Sequence, residues 1–203
     1  MSAFFLRGLL IGFSIAAPVG PIGVLCIRRT LAEGRAAGFV SGLGAATADA
    51  FYGAIAGFGL TFVSGLLVRE QVWLRLVGGL FLIYLGIRAF TNAPAPLRGD
   101  GARSLTLGSA YVTTLALTLT NPMTILSFAA IFAGLGVVAS RDYATAGALV
   151  AGVFSGSALW WLILSGAAAM VRTRLRPETL RWVNRAAGVV ITAFGVVALL
   201  SLR

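Results

Sequence analysis

The chain has 203 residues, of which 59% are hydrophobic and only 11% charged, and its mean hydropathy is +0.95. A soluble domain usually runs about 45–50% apolar and about 25% charged, and one of this size cannot bury so much apolar surface. The composition therefore argues against a soluble enzyme, a disordered chain or a nucleic-acid-binding domain, and for an integral membrane protein.

The net charge of +10 comes from 16 Arg and no Lys. These Arg residues lie between apolar runs, where they read as topology-setting loop charges rather than a nucleic-acid patch. The sequence has no His, so a Ser–His pair, a zincin motif and a His–Cys metal site are excluded. Its single Cys, Cys26, has no internal disulfide partner. The expectation is a non-enzyme without cofactor or metal site.

A helix needs about 20 apolar residues to cross the bilayer core. In chain order, six segments satisfy this: Phe4 to Ile27, Ala36 to Val63, Val72 to Phe90, Leu105 to Val138, Tyr143 to Val171 and Val183 to Leu202. The first is too long for a secretory signal and is followed by Arg28–Arg29 rather than small neutral residues, so it reads as a retained span. The fourth is too long for one straight span and predicts a broken or tilted one, or one that includes an interfacial stretch.

The longest polar link, Thr91 to Ser104, contains Pro94, Pro96, Gly99, Asp100 and Gly101 and reads as a loop. It divides one transmembrane domain, 1–203, into halves of about 1–93 and 105–203. Eleven Arg fall in the first, third and fifth loops and five on the other side. The positive-inside rule then puts those loops in the cytoplasm and both termini outside.

The halves show weak internal similarity. Trp73, Gly79 and Gly86 are each matched 109 residues later by Trp182, Gly188 and Gly195. Pro18 is matched by Pro122, 104 residues on. Three spans per half would place the halves in opposite orientations, an arrangement recurrent in transporters. The predicted fold is all-α, with six transmembrane helices as two inverted three-helix repeats.

Three features fall near mid-span. Pro18, Gly20 and Pro21 should break the first helix, with Pro21 opening a new half-helix. Asn121–Pro122 reads as a cap followed by a first-turn proline, hence a second helix start at membrane depth. Each such start offers free N–H groups to an anion such as a carboxylate. Asp49 is the only acidic residue deep in an apolar segment, where a charge costs at least about 2.5 kcal/mol and normally serves a function. It suits an ammonium, a coupling proton, or both in turn. Tyr52 lies three residues on, along the same helical face. The bland alternative is an Asp held by hydroxyls or by an Arg. Positive backbone ends facing one carboxylate suit a small zwitterion, of which a free amino acid is the obvious case; on charge alone a cation or a polar metabolite fits as well.

Paired glycines four apart (Gly8 and Gly12, Gly38 and Gly42, Gly53 and Gly57, Gly152 and Gly156) read as helix-packing sites. Trp73 and Trp182 read as interfacial anchors, and Trp160 and Trp161 as core or lipid-facing residues.

The stretch Ala17–Pro18–Val19–Gly20–Pro21–Ile22–Gly23, followed by Arg28–Arg29, Arg35, Gly38, Gly42, Gly44 and Ala48–Asp49, resembles the lysine exporter (LysE) family of amino-acid exporters. Asn121–Pro122 resembles that family's second-half motif. The resemblance implies a bacterial inner-membrane secondary exporter of six spans, driven by the proton gradient and dimeric. The two motifs each depart from the family pattern. Met123 stands where a Lys usually follows the second motif, and Ile22–Gly23 replace polar residues after the first. Alternatives to amino-acid export are a cation or heavy-metal exporter and a non-transporting membrane scaffold.

Overall fold

The structure is a computed structural model and describes residues 1–18, 20–58, 69–91, 106–121, 124–125, 127–128, 143–172 and 177–201. These residues form seven long helices and no strand. They are α1 (Ser2–Ala16), α2 (Pro21–Glu33), α3 (Arg35–Gly57), α4 (Gln71–Thr91), α5 (Leu107–Leu119), α6 (Tyr143–Arg172) and α7 (Pro177–Leu200).

Three helices are long and apolar enough to cross a membrane alone: α4, α6 and α7. Helices α1 and α2 satisfy the same requirement together, bent by 80° at the break between them. Helix α3 has 23 residues, about 35 Å of rise, but is less apolar. Its buried positions are small or polar, among them Ser41, Gly42, Gly44, Ala45, Ala46, Ala48 and Asp49. Such a helix suits contact with protein rather than with lipid. Helix α5 is 13 residues long and too short to span. Most of the fourth expected segment beyond it, and the expected loop at 94–104, lie outside the described residues.

Helices α3 and α6 cross at the centre. Helix α1 packs on α6 and α5 on α3, while α2 touches α3, α6 and α7, and α4 pairs with α7. Glycine makes these crossings close. A Cβ at Gly8 or Gly12 would overlap the backbone of Leu149 or Val153, and one at Gly152 or Gly156 would overlap that of Phe5 or Leu9. Gly44 meets Tyr111 and Leu115 in the same way. Gly8, Gly12, Gly152 and Gly156 therefore serve packing, as expected, and Gly44 does the same.

The α4–α7 pair turns its other faces outward. Only 28% of each spanning stretch is buried inside the protein. Val77, Leu80, Ile87, Val189, Val197 and Leu200 are all more than half exposed. An apolar surface of this extent suits lipid contact. Trp73 and Trp182 are 64% and 68% exposed, in keeping with interfacial anchors.

Contacts between helix ends sort the connections into two groups. At one end of the bundle, Arg172 Nε donates to the Leu31 carbonyl at 3.0 Å and Arg28 Nε to Asn184 Oδ1 at 3.2 Å. There too the Arg185 guanidinium lies 6.0 Å from the Phe90 ring. At the other end, the Phe58 and Tyr143 rings are 6.0 Å apart and Arg75 Nη1 donates to the Ser201 carbonyl at 2.7 Å. The ends of α2, α4 and α6 and the starts of α3 and α7 thus gather at the Arg-rich end.

One sequence expectation needs correction. Arg28 and Arg29 are not in a loop: α2 runs through both to Glu33. The loop is the single residue Gly34, with φ 106° and ψ 169°. Only glycine adopts that conformation without strain, which is why α2 can end and α3 begin with nothing else between them. Arg29 points inward with 2% exposure because Ser41, Thr114 and the Ala110 carbonyl supply it with neutral acceptors.

Candidate functional site: a buried carboxylate between two helix breaks

Helix α1 stops at Ala16 and α2 starts at Pro21, with Gly20 as its N-cap. The expected first break is present, and the rings and glycine around it explain why the helix cannot continue. Pro18 is exposed. Gly20 is in an ordinary extended conformation (φ −97°), and a Cβ built on it would meet no atom within 4 Å. A side chain would thus fit at Gly20 itself, while Pro21, Ile22 and Gly23 of the first turn are buried. Val19 lies outside the described residues.

The second expected break is also present. Helix α5 ends at Leu119, and Asn121 lies outside it. The Asn121 carbonyl accepts from the N–H groups of Thr124 and Ile125 at 3.1 and 3.2 Å. That is the bonding of a residue at a new helix start. Pro122 and Met123 lie outside the described residues.

Asp49 lies midway along α3 and is 3% exposed. Its Oδ2 accepts from Ser157 Oγ of α6 at 2.7 Å. Ser157 Oγ in turn accepts from Trp161 Nε1 at 3.1 Å, one turn further along α6. A Trp–Ser–Asp chain of hydrogen bonds therefore crosses the central helix pair. Among the described residues, the single ion pair within 4.0 Å is Arg69–Glu70, so no described guanidinium compensates the carboxylate. A hydroxyl holds Asp49, as the bland alternative expected, and a described Arg does not.

Tyr52 is buried on the same stretch of α3, but its hydroxyl donates to the Leu119 carbonyl rather than to Asp49. It thus ties α3 to the last turn of α5, two residues before Asn121. Thr47 faces α5 as well, accepting from the Tyr111 hydroxyl at 2.8 Å.

Two apolar clusters pack residues beside each break against α3. Ala16 and Ile22, either side of the first break, pack with Ala45, Ala46 and Trp161. Ile125 and Phe128, beyond the second, pack with Tyr52, Ile55 and Val153. The stretch from Ala45 to Tyr52, with Asp49 inside it, lies between them.

The sequence reading missed Ser157, Trp161 and Arg29 as polar partners. One Ser in an Ala- and Gly-rich span carries no signal of its own, and Trp161 is core, as expected of it. A signal for Ser157 did exist: it lies 108 residues after Asp49, the same interval that separates Gly44 from Gly152.

A family described as "LysE type translocator" matches residues 13–202, nearly the whole chain. The protein belongs to the LysE type translocators. It is 29% identical over 199 residues to "Putative amino acid efflux protein YcgF" of Bacillus subtilis (strain 168), covering 94% of this chain and 92% of that one. It is also 29% identical over 178 residues to "Uncharacterized membrane protein YahN" of Escherichia coli (strain K12), covering 84% and 77%. No solved structure matches. Membership agrees with the exposed apolar faces of α4 and α7: this LysE-type protein is a membrane-embedded, transporter-family chain.

Proposed function

We propose that the protein exports an amino acid or a similar zwitterion across the bacterial inner membrane by alternating access, coupled to protons. The observation that carries this reading is Asp49, a buried carboxylate that accepts from one hydroxyl and has no cation against it among the described residues. A charge so placed is costly in a membrane interior and is retained where it binds or moves a charge. Asp49 takes the substrate ammonium or the coupling proton. The substrate carboxylate meets the helix start at Gly20–Pro21, where the backbone N–H groups after Pro21 have no partner within the helix, with Asn121–Pro122 supplying the opposing start. The printed name of the Bacillus subtilis relative supports the same substrate class.

Two inverted repeats of three spans, with both termini outside and the Arg-rich end cytoplasmic, complete the proposal. Matched crossings support the repeats. Gly152 rests on Phe5 and Leu9 of α1, and Gly44 on Tyr111 and Leu115 of α5. Gly79 meets the Gly195 carbonyl and Gly188 the Gly86 carbonyl, so each contact is the other's counterpart under the 109-residue interval. Asp49 and Ser157 are then matched positions meeting near the pseudo-two-fold axis.

Asp49→Asn tests the mechanism. It keeps shape and hydrogen bonding but removes charge and titration. Gradient-driven efflux of preloaded amino acid from vesicles, normalised to folded protein, should fall to background. Normal gradient-dependent efflux by the Asn variant would end the claim for this residue.

A further inference from the structure

Helix α2 carries a second buried charge. Arg29 is 2% exposed, among the most deeply buried large side chains described. Its three described hydrogen bonds all leave from Nη1, to Ser41 Oγ, the Ala110 carbonyl and Thr114 Oγ1 at 2.8, 2.9 and 2.9 Å. Every one of these acceptors is neutral. Its Nε is buried and has no partner among the described residues. One turn further along α2, Glu33 Oε2 is also buried without a described partner.

Residues four apart on a helix are neighbours and can pair. Arg29 and Glu33 do not approach within 4.0 Å. An unsatisfied cationic donor and an unsatisfied anionic acceptor thus lie one turn apart on α2 at the Arg-rich end. Arg28 and Arg29 both lie near enough to act on the Glu33 charge, but neither is hydrogen-bonded to its Oε2; Arg28 Nε donates to Asn184 and Arg172 Nε to the Leu31 carbonyl. Burying either group unpaired is expensive, and what removes the cost is a ligand carrying both complementary charges.

We propose that Arg29 and Glu33 form a capture site for a small zwitterion at the Arg-rich end of α2, ahead of Asp49. The carboxylate of the ligand accepts from Arg29 Nε, and its ammonium donates to Glu33 Oε2. The choice of an α-amino acid rests on the efflux reading, whereas the charge pattern stands without it. Ser41 and Asp49 are eight residues apart on α3, so the two sites are separated by about 12 Å along that helix.

The site reads the two charged groups alone, so L-alanine is a sufficient probe. Lactate replaces its ammonium by a hydroxyl, and ethylamine lacks its carboxylate. Binding of each is measured by equilibrium dialysis to purified full-length protein in the Asp49→Asn background, which silences the deeper site. Alanine should bind, with lactate and ethylamine each about 10-fold weaker or worse, as loss of one charge-assisted contact implies. Glu33→Gln should weaken alanine about 10-fold and leave lactate within about 2-fold. Arg29→Met, checked by size-exclusion chromatography for folding, should weaken both. Glu33 is half-buried and its amide isostere is mild, so that variant decides the question even if Arg29→Met does not fold. Unchanged alanine binding in Glu33→Gln, equal losses for alanine and lactate, or no alanine binding at all would each overturn the capture site. Vesicle efflux by the wild-type chain judges the transport reading separately.

Discussion

Asp49 and Arg29 are the two charged side chains most deeply buried among the described residues, and the protein treats them differently. Asp49 receives one hydroxyl, itself steadied by an indole, and lies between two helix breaks. Arg29 is gripped through Nη1 by three acceptors from two helices, and it sits in a continuous helix with its Nε buried and without a partner among the described residues. The carboxylate is lightly held and can change partner. The guanidinium is anchored through one nitrogen and presents another. A group that must exchange protons or cargo needs the first arrangement, and one that must stay in place and recognise an anion needs the second.

The contrast can be broken by substitution, and the largest effect belongs to Arg29. Arg29→Ala leaves a cavity among Ser41, Thr114 and α2 and should cost about 2–4 kcal/mol. Arg29→Met fills that volume. Ser41 and Thr114 keep their own bonds to the Ala37 and Ala110 carbonyls, so no acceptor is stranded. Replacing a buried charge by an apolar side chain of similar volume is often neutral or stabilising. The expected order of thermal stability in detergent is therefore Met at or above wild type, with Ala well below. A Met variant as unstable as Ala would make Arg29 a structural clamp and erase the distinction.

Ser157→Ala comes next. It removes the hydroxyl that donates to Asp49 Oδ2 and should cost about 1–2 kcal/mol while Asp49 is charged. In an Asp49→Ala background the same substitution should cost clearly less. A double-mutant cycle by thermal unfolding in detergent reads this coupling directly. Zero coupling would mean that Ser157 does not hold the carboxylate.

The smallest effect is expected for Trp161→Phe, which removes one indole N–H from Ser157 and keeps most of the packing. About 0.6 kcal/mol is typical of such a bond inside a membrane bundle. Efflux should persist, because the indole touches the hydroxyl and not the carboxylate. A complete loss of efflux would move Trp161 into the substrate path.

Part of this architecture is legible in the residues alone. Pro18, Gly20, Pro21 and Asn121 announce helix breaks because backbone chemistry is local. Asp49 announces itself because an isolated carboxylate in an apolar run is too costly to keep without a use. Arg29 was hidden for the opposite reason: it neighbours Arg28 near a segment end, where positive charge is ordinary. Its burial depends on Ser41, Ala110 and Thr114, up to 85 residues away, and only tertiary structure can bring these together. Ser157 was hidden because a hydroxyl in a small-residue helix is common. The direction of Tyr52 followed from helical spacing, but its partner, the Leu119 carbonyl, did not, since a carbonyl leaves no mark on the sequence.

The one-residue turn at Gly34 couples these sites mechanically. Helix α2 has 13 residues, about 20 Å of rigid rod. Gly20 and Pro21 lie at its far tip, and Arg29 and Glu33 close to its pivot. With a single residue between α2 and α3, there is no slack to absorb rotation. A swing of about 10° at Gly34 carries the tip through about 3.5 Å, roughly the reach of a hydrogen bond, while Glu33 hardly moves. A small rotation about Gly34 at the proposed capture site would thus be geared up into a full contact made or lost where α2 begins.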